Sequence, residues 1–490
     1  MLHRNRRKIR TFCRLCAKRR LFFWEKRAII ARLRLRGRLS ETGVIMYRDL
    51  TKGTITKGLL LFALPMIAGN LLQQFYNIAD TLIVGQALGK NALAAVGSAY
   101  TLMTFLTSIF LGLSMGAGTL FSIYLGKKDY GALQSAVHHA LVLIFAVTAA
   151  LNVLVYAFLD PILRFLQIPD ELYSSMREYL VIIFAGLIAT FLYNFFACLL
   201  RAVGNSVAPL WFLGTSALLN IALDLLFVLV FSWGIAGAAI ATVLSQLASC
   251  VVGFSYMRRR YELLRFSLCE LRLDRTAAAR VLQIGAPMAL QQSIVSCGFL
   301  FLQKLVNLFG ESMIASYTVA SRMENILMIP IIGIQNTMAT YAGQNMGARQ
   351  PERVSKGLGQ GVLVSLLLTA ALCLCQMLGR GFIVSAFKLD EAAAAICDQH
   401  LLASALAMPI FAIYFPANGM FQGVGEGFFA TFCALLALGL RVVFAYCLYQ
   451  TALFGYTAIW WSQGMAWTLT LITCYTHFFR GKWKQKSLVR

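Results

Sequence analysis

Leu64-Pro65-Met66-Ile67-Ala68-Gly69-Asn70-Leu71-Leu72-Gln73-Gln74-Phe75-Tyr76-Asn77-Ile78-Ala79-Asp80-Thr81-Leu82-Ile83-Val84-Gly85 is the stretch that decides the fold. It is long enough to cross a bilayer core, which takes about 20 residues of helix. Yet it carries Asn70, Gln73, Gln74, Asn77, Asp80 and Thr81. At about 100° per residue these six polar side chains fall within about 120° of one face. A helix that is apolar except for one polar stripe touches lipid on one side and protein on the other. The stripe is therefore expected to look into a helical bundle, with Asn70, Gln73, Gln74 and Asn77 as candidates to line a substrate cavity and Asp80 as a functional acid.

The rest of the chain has the same character. Of 490 residues, 59% are hydrophobic and 13% charged, where a soluble domain carries about 25% charged residues. That charge cannot cover the surface of a soluble enzyme, and it excludes a disordered chain. The formal charge of +24 is not a nucleic-acid footprint, because residues 1–46 alone hold 15 Lys/Arg against 2 acids. The remainder lies in short clusters between apolar runs, so no nucleic-acid partner is expected. Residues 1–46 lack the apolar core and cleavage site of a signal peptide. They read as a basic arm suited to an anionic membrane surface, or as sequence upstream of a start at Met46. Most of the twelve cysteines sit in apolar runs and read as small hydrophobes. Cys13-x-x-Cys16 has no second pair to make a metal site.

Twelve apolar runs are long enough to span: about 58–84, 92–122, 134–158, 174–200, 207–231, 235–257, 279–307, 312–342, 355–379, 396–424, 427–451 and 455–479. The expected fold is all-α and polytopic, with twelve transmembrane helices in two pseudo-symmetric six-helix lobes. Its parts are a basic N-terminal segment (1–57, with 46–57 as lead-in), lobes at 58–257 and 279–479, an inter-lobe loop at 258–278 and a basic tail at 480–490. With the N-terminus inside, the inner connections and tail hold 18 Lys/Arg and the outer connections 5. Both termini are therefore expected in the cytoplasm of a plasma (inner) membrane protein.

The two halves match at an offset of about 221 residues. Leu64-Pro65-Met66 matches Ala286-Pro287-Met288, Gly89 matches Gly310, Ala94 matches Ala315, Gly112 matches Gly333, and Gly126 matches Gly347. Tyr193 matches Tyr414, Arg201-Ala-Val-Gly-Asn-Ser matches Gln422-Gly-Val-Gly-Glu-Gly, and Gly234 matches Gly455. One indel in the first span pair accounts for the step from 222 to 221. Six spans per half make this a parallel repeat about an axis along the membrane normal, with a cavity between the halves, which is a transporter plan.

Ionisable residues inside spans are few: Asp80, Asp224, Lys304, Arg322, Glu324 and Arg441. Asn220 and Asp224 share a helix face, and Thr242 sits on the small-residue turn Gly237-Ala-Ala-Ile-Ala-Thr. Counting about 1.5 Å per residue from the outer ends puts Asp80, Asp224 and Thr242 roughly 9–12 Å deep. Two carboxylates, an amide and a hydroxyl at one level suit a proton or a sodium ion. Hydrogen bonds that merely glue the helices are the alternative for such groups. The second half has no acids there. Arg441 falls where Asn220 maps, and is expected to neutralise Glu324 or to meet an anionic substrate group. No nucleophile-and-base set, metal cluster or P-loop is present, so neither an enzyme nor direct ATP use is expected, and no cofactor beyond the coupling ion.

The first-span stretch resembles the first helix of the multidrug and toxic compound extrusion (MATE) transporters. Asn220-Ile-Ala-Leu-Asp224, Gly237-Ala-Ala-Ile-Ala-Thr242 and Gly343-Gln-Asn-Met-Gly347 resemble other signatures of that family. The likeness covers about residues 55–480. It implies that Asp80 is the coupling acid, that Asn220, Asp224 and Thr242 complete an ion site in the first lobe, and that a second-lobe ion site lacks its acids. The expected function is a secondary antiporter exporting organic cationic or amphipathic small molecules across the lipid bilayer in exchange for H⁺ or Na⁺. A flippase for a lipid-linked precursor and a non-transporting membrane scaffold or receptor are the alternatives.

Overall fold

In hydrocarbon every backbone polar group must find its partner within the chain, so long apolar runs fold as helices. The computed structural model describes residues 48–165, 168–261, 275–387, 389–451 and 454–485, and no strand occurs among them. The basic arm 1–46 with Cys13 and Cys16, the start at Met46, most of the 258–278 loop and the end of the tail lie outside the described residues.

Twelve helical spans follow in chain order. α1 is Ile55–Gly89, α2 Asn91–Lys127 and α3 Tyr130–Phe165. α4 is the pair Asp170–Ala185 and Leu187–Ala202, α5 is Val207–Val230 and α6 is Gly234–Arg260. α7 is Arg275–Asn307. α8 is Glu311–Gly347, α9 Pro351–Ala386, α10 Glu391–Gly423 and α11 Gly427–Leu448. α12 is Ala458–Arg480. Among the described residues nine of these are apolar enough to cross a membrane unaided, and the α4 pair, bent by 48°, makes a tenth. α7 and α12, of 33 and 23 residues, have spanning length with more polar faces and complete the twelve.

The bend in α4 has a packing cause. It falls at Gly186, where an added Cβ would lie 2.5 Å from Val243 on α6. Five spans hold prolines in their interiors: α1 (Pro65), α3 (Pro161), α7 (Pro287), α8 (Pro330) and α10 (Pro409 and Pro416), which neighbouring helices in a membrane bundle tolerate.

The repeat is written into the backbone. Gly89 (φ 81°, ψ −173°) breaks the chain between α1 and α2, and Gly310 (φ 86°, ψ −176°) does so between α7 and α8. Lys128 and Arg349 take φ of 59° and 58° just past α2 and α8. Gly204 and Gly425 take 89° and 86°. Each pair is one repeat apart, and the left-handed region is open to glycine at little cost.

The lobes meet along a seam made by α1, α2, α7 and α8. A Cβ on Gly112 would lie 2.4 Å from Ala289, and one on Gly333 would lie 2.6 Å from Ile67. A Cβ on Gly126 would lie 1.9 Å from the Gln344 carbonyl, and one on Gly347 would lie 2.0 Å from the Ile123 carbonyl. These contacts exchange into one another under the repeat, as a pseudo-two-fold requires. The seam is dry at the end where the chain enters. There Leu59, Phe62, Ala63 and Met66 of α1 join the second lobe's core, beside Met338, Tyr341 and Phe421. Val281, Ile284 and Met288 of α7 join the first lobe's core, beside Phe121 and Phe195. At the Gly89 and Gly310 corners no heavy atom lies within 4 Å of where a Cβ would stand. The lobes pack closely at the end where the chain enters.

Candidate functional site

α1 changes partners along its length. Beyond Ile67 it leaves the second lobe and lies on α5, with Gly69 against Leu210 and Leu213, and Leu72 against Gly214. The face continuing this contact at helical spacing is Gly69, Leu72, Tyr76, Asp80, Val84. Val84 is fully buried. Asp80 thus enters the first lobe. Its carboxyl lies within hydrogen-bonding reach of Asp224, whose side chain has no exposure.

Asp224 is set by its helix. α5 is an ordinary α-helix to Asp224, and from Leu225 to Val230 it widens to π-helical turns. Phe231 N–H reaches back five residues to Leu226 O at 2.9 Å. Such widened turns occur mostly where a helix serves a site. Asn220, one turn before Asp224 and fully buried, orients its amide to donate to Asp224 Oδ2 at 2.8 Å and to accept from Thr242 N–H at 3.2 Å. Thr242 donates its hydroxyl to Ala238 O at 3.1 Å. α6 comes this close because its first turns are small residues: a Cβ on Gly237 would lie 3.2 Å from Phe227.

Asp80, Asn220, Asp224 and Thr242 therefore converge from α1, α5 and α6 in one cluster. Two groups join them that the sequence reading passed over. The Tyr76 hydroxyl lies against Thr242 and in the field of both carboxyls, and buried Tyr179 of α4 is near enough to feel them too. Tyr76 stands one helical turn before Asp80, which is the signal that could have found it.

Electrostatically the cluster is short of positive charge. Asp224 Oδ1 is buried with no hydrogen-bond donor among the described protein atoms. Two carboxyls within hydrogen-bonding reach can bond only through a shared proton, or hold a cation between them. The donor set of carboxylate, amide and hydroxyl oxygens suits a proton or a hard monovalent cation. Among the described residues no group of three or more His, Cys, Asp or Glu side chains forms.

The polar stripe of α1 is not buried as a whole. Asn70 and Asn77 are half-buried, whereas Gln73, Gln74 and Thr81 are exposed. The close seat of α1 on α5 admits one narrow face and turns Gln74 and Thr81, about 100° or more round the helix from Asp80, away, whereas Gln73 is close to Asp80 in angle and exposed all the same. Arg441 is buried, and among the described residues it makes no ion pair with Glu324, as the sequence had suggested. Glu324 instead accepts a short hydrogen bond from Gln463. Lys304 and Arg322 are exposed.

Comparison with known proteins follows from this geometry. The MatE family model matches residues 65–226 and again residues 287–447. The chain belongs to the MatE family. The two matches begin 222 and end 221 residues apart, the same step that the seam contacts show. MatE proteins are multidrug efflux transporters of the membrane, with many spanning helices. The probable multidrug resistance protein YpnP of Bacillus subtilis (strain 168) is 29% identical over 444 residues, covering 90% of this chain and 98% of that protein. The multidrug export protein MepA of Staphylococcus aureus (strain NCTC 8325 / PS 47) is 24% identical over 421 residues, covering 85% and 92%. Among solved structures, an outward-facing multidrug resistance MATE transporter of the MOP superfamily superposes with a TM-score of 0.82 at 23% identity, covering 91% of this chain and all of that one. A MOP-superfamily transporter from Pyrococcus furiosus gives 0.84 at 22%, with the same coverage. At such identity these two likenesses speak to the fold: twelve helices in two lobes.

Proposed function

We propose that this MatE chain is a secondary antiporter that exports organic cationic or amphipathic compounds in exchange for H⁺ or Na⁺. The observation that carries the reading is the pair of half-buried Asp80 and fully buried Asp224, with one carboxylate oxygen lacking a donor among the described protein atoms. Charge in such a site is tolerable only with a counter-charge, so occupancy by a proton or cation and departure of that ion change the energy of the first lobe.

α1 connects this change to the lobes. Its outer part carries Asp80 into the first lobe, and its other end, Leu59–Met66, is core of the second. Pro65 lies between them and weakens the helix there. A shift of α1 on protonation or cation binding at Asp80 therefore pulls on the seam. In this proposal the lobes 58–257 and 279–479, joined by 258–278, rock against one another and expose the central cleft to alternate sides. With both termini in the cytoplasm, the closely packed end of the seam faces inward and the Gly89 and Gly310 corners face outward. Asn70, Gln73, Gln74 and Asn77 supply polar contacts to the compound in the cleft. One pH unit of gradient supplies about 1.4 kcal/mol per proton, a tenfold concentration ratio.

The test is ethidium accumulation by everted vesicles containing the chain, under an imposed pH gradient or an imposed sodium gradient. Accumulation driven by one of the two is expected. Accumulation indifferent to both, or none, contradicts antiport.

A further inference from the structure

The repeat allows the acid cluster to be compared with its own counterpart in the second lobe. Applying the offset, Asn220 falls on Arg441, Thr242 on Gln463, Tyr179 on His400, Asp224 on Ala445 and Asp80 on Leu302. All five of these second-lobe side chains are buried: Leu302 and Ala445 at 0% exposure, His400 at 2%, Gln463 at 3% and Arg441 at 7%. The acids are gone, replaced by Leu302 and Ala445, and a guanidinium and an imidazole stand where the first lobe has Asn220 and Tyr179.

His400 on α10 is held flat between two rings. The Trp460 indole stacks on it at 4.9 Å with the planes 17° apart, and the Tyr317 phenol stacks at 5.7 Å and 23°. Its ring is close enough to Arg441 to feel that charge. Among the described residues neither His400 Nδ1 nor Arg441 Nε has a hydrogen-bond partner. Glu324 on α8 accepts a hydrogen bond from Gln463 and, among the described residues, forms no ion pair with Arg441. A guanidinium stays charged at any ordinary pH, and a buried charge without a partner is among the most unfavourable features a folded chain can carry. The arrangement calls for negative charge from outside the protein.

We propose that the second lobe binds a monovalent anion between Arg441 and His400, at the place where the first lobe carries its acids. Arg441 supplies the charge and a directed N–H, and His400, in the tautomer with the proton on Nδ1, supplies a second. Trp460 and Tyr317 wall the site and keep the imidazole in place. The anion is a free halide or the carboxylate end of a transported molecule. The chain would then be a pseudo-symmetric pair of opposite polarity, a cation site in one lobe and an anion site in the other. The anion site goes beyond the antiport reading and does not depend on it.

The experiment is thermal unfolding of the full chain in detergent, with potassium gluconate replaced at constant ionic strength by potassium chloride or by potassium acetate. A saturable rise of about 3 °C is expected with chloride, acetate or both. Response to chloride alone identifies a halide site, and response to acetate identifies a carboxylate site. Arg441→Met is expected to lose the response, whereas Asp80→Asn keeps it, so failure of the coupling reading leaves this test intact. Should Arg441→Met not fold, bromide quenching of wild-type protein against Trp460→Phe decides, with a saturable component from Trp460 expected. No anion-specific shift in the wild type, a full shift in Arg441→Met, or purely collisional quenching alike in wild type and Trp460→Phe overturns the proposal.

Discussion

Replacing Gly126 by alanine places a methyl group 1.9 Å from the backbone oxygen of Gln344, where ordinary contact begins at 3.4 Å. The obstacle is backbone, so the two helices must separate by about 1.5 Å for contact to become ordinary. Overpacking of this kind costs about 1–3 kcal/mol. The strain exists only while the seam is closed at this end, so the whole of it acts on the equilibrium between states. A shift of roughly 5- to 150-fold toward the opposite state follows. Because Gly347 meets Ile123 in the matching way, at 2.0 Å, Gly347→Ala must do the same. Gly97→Ala and Gly439→Ala have no neighbour within 4 Å and serve as controls. Spin labels at Gln86 and Asn307, exposed residues one repeat apart near the ends of α1 and α7, read the separation of the lobes at the end away from the seam glycines. Both seam variants should move the distance distribution to shorter values, and both controls should leave it unchanged. An unchanged distribution in Gly126→Ala and Gly347→Ala, with folded protein, refutes the closed seam as the element that switches.

Two further outcomes follow from named contacts. Gln344 is buried and ties the lobes together, accepting from Leu50 N–H at 3.1 Å and donating to Ala202 O at 2.9 Å. Gln344→Ala leaves Leu50 N–H without its partner, at about 1–3 kcal/mol, while Ala202 O keeps the Ser122 hydroxyl at 3.4 Å; it should shift the labelled distance in the same direction as Gly126→Ala. Tyr76→Phe keeps the ring beside Asp80 and removes only the hydroxyl that lies against Thr242. The loss of one hydrogen bond, about 0.5–1.5 kcal/mol, should raise the driving-cation concentration for half-maximal ethidium transport by roughly 2- to 13-fold with little change in Tm.

How much of this was readable in the residues differs from element to element. The spans were legible because hydrocarbon leaves a helix as the only way to satisfy the backbone of an isolated apolar run. The repeat was legible because Gly89, Gly310, Gly234 and Gly455 mark backbone conformations that other residues avoid, so they persist at a fixed spacing. The convergence of Asp80, Asn220, Asp224 and Thr242 could be read from depth alone, since membrane thickness gives a common ruler. What depth does not give is rotation about the helix axis. Gln73 lies close to Asp80 in angle and is nevertheless exposed, because α1 exchanges one lobe for the other near Pro65. The bend at Gly186 rests on contact with Val243, and no local sequence signal such as proline marks it. His400 reads as an isolated polar residue in an apolar run until the fold stacks it between Tyr317 and Trp460 and sets it beside Arg441.

The central claim is that Asp80, paired with Asp224, links cation movement to export. Purified chain in proteoliposomes, with ethidium and the counter-moving cation followed together, tests it for the wild type, Asp80→Asn and Asp224→Asn. Both variants should run at the wild-type position on size exclusion and lose cation-linked ethidium transport. Asp80→Asn protein that still exchanges ethidium for the cation at the wild-type rate and ratio would contradict the account.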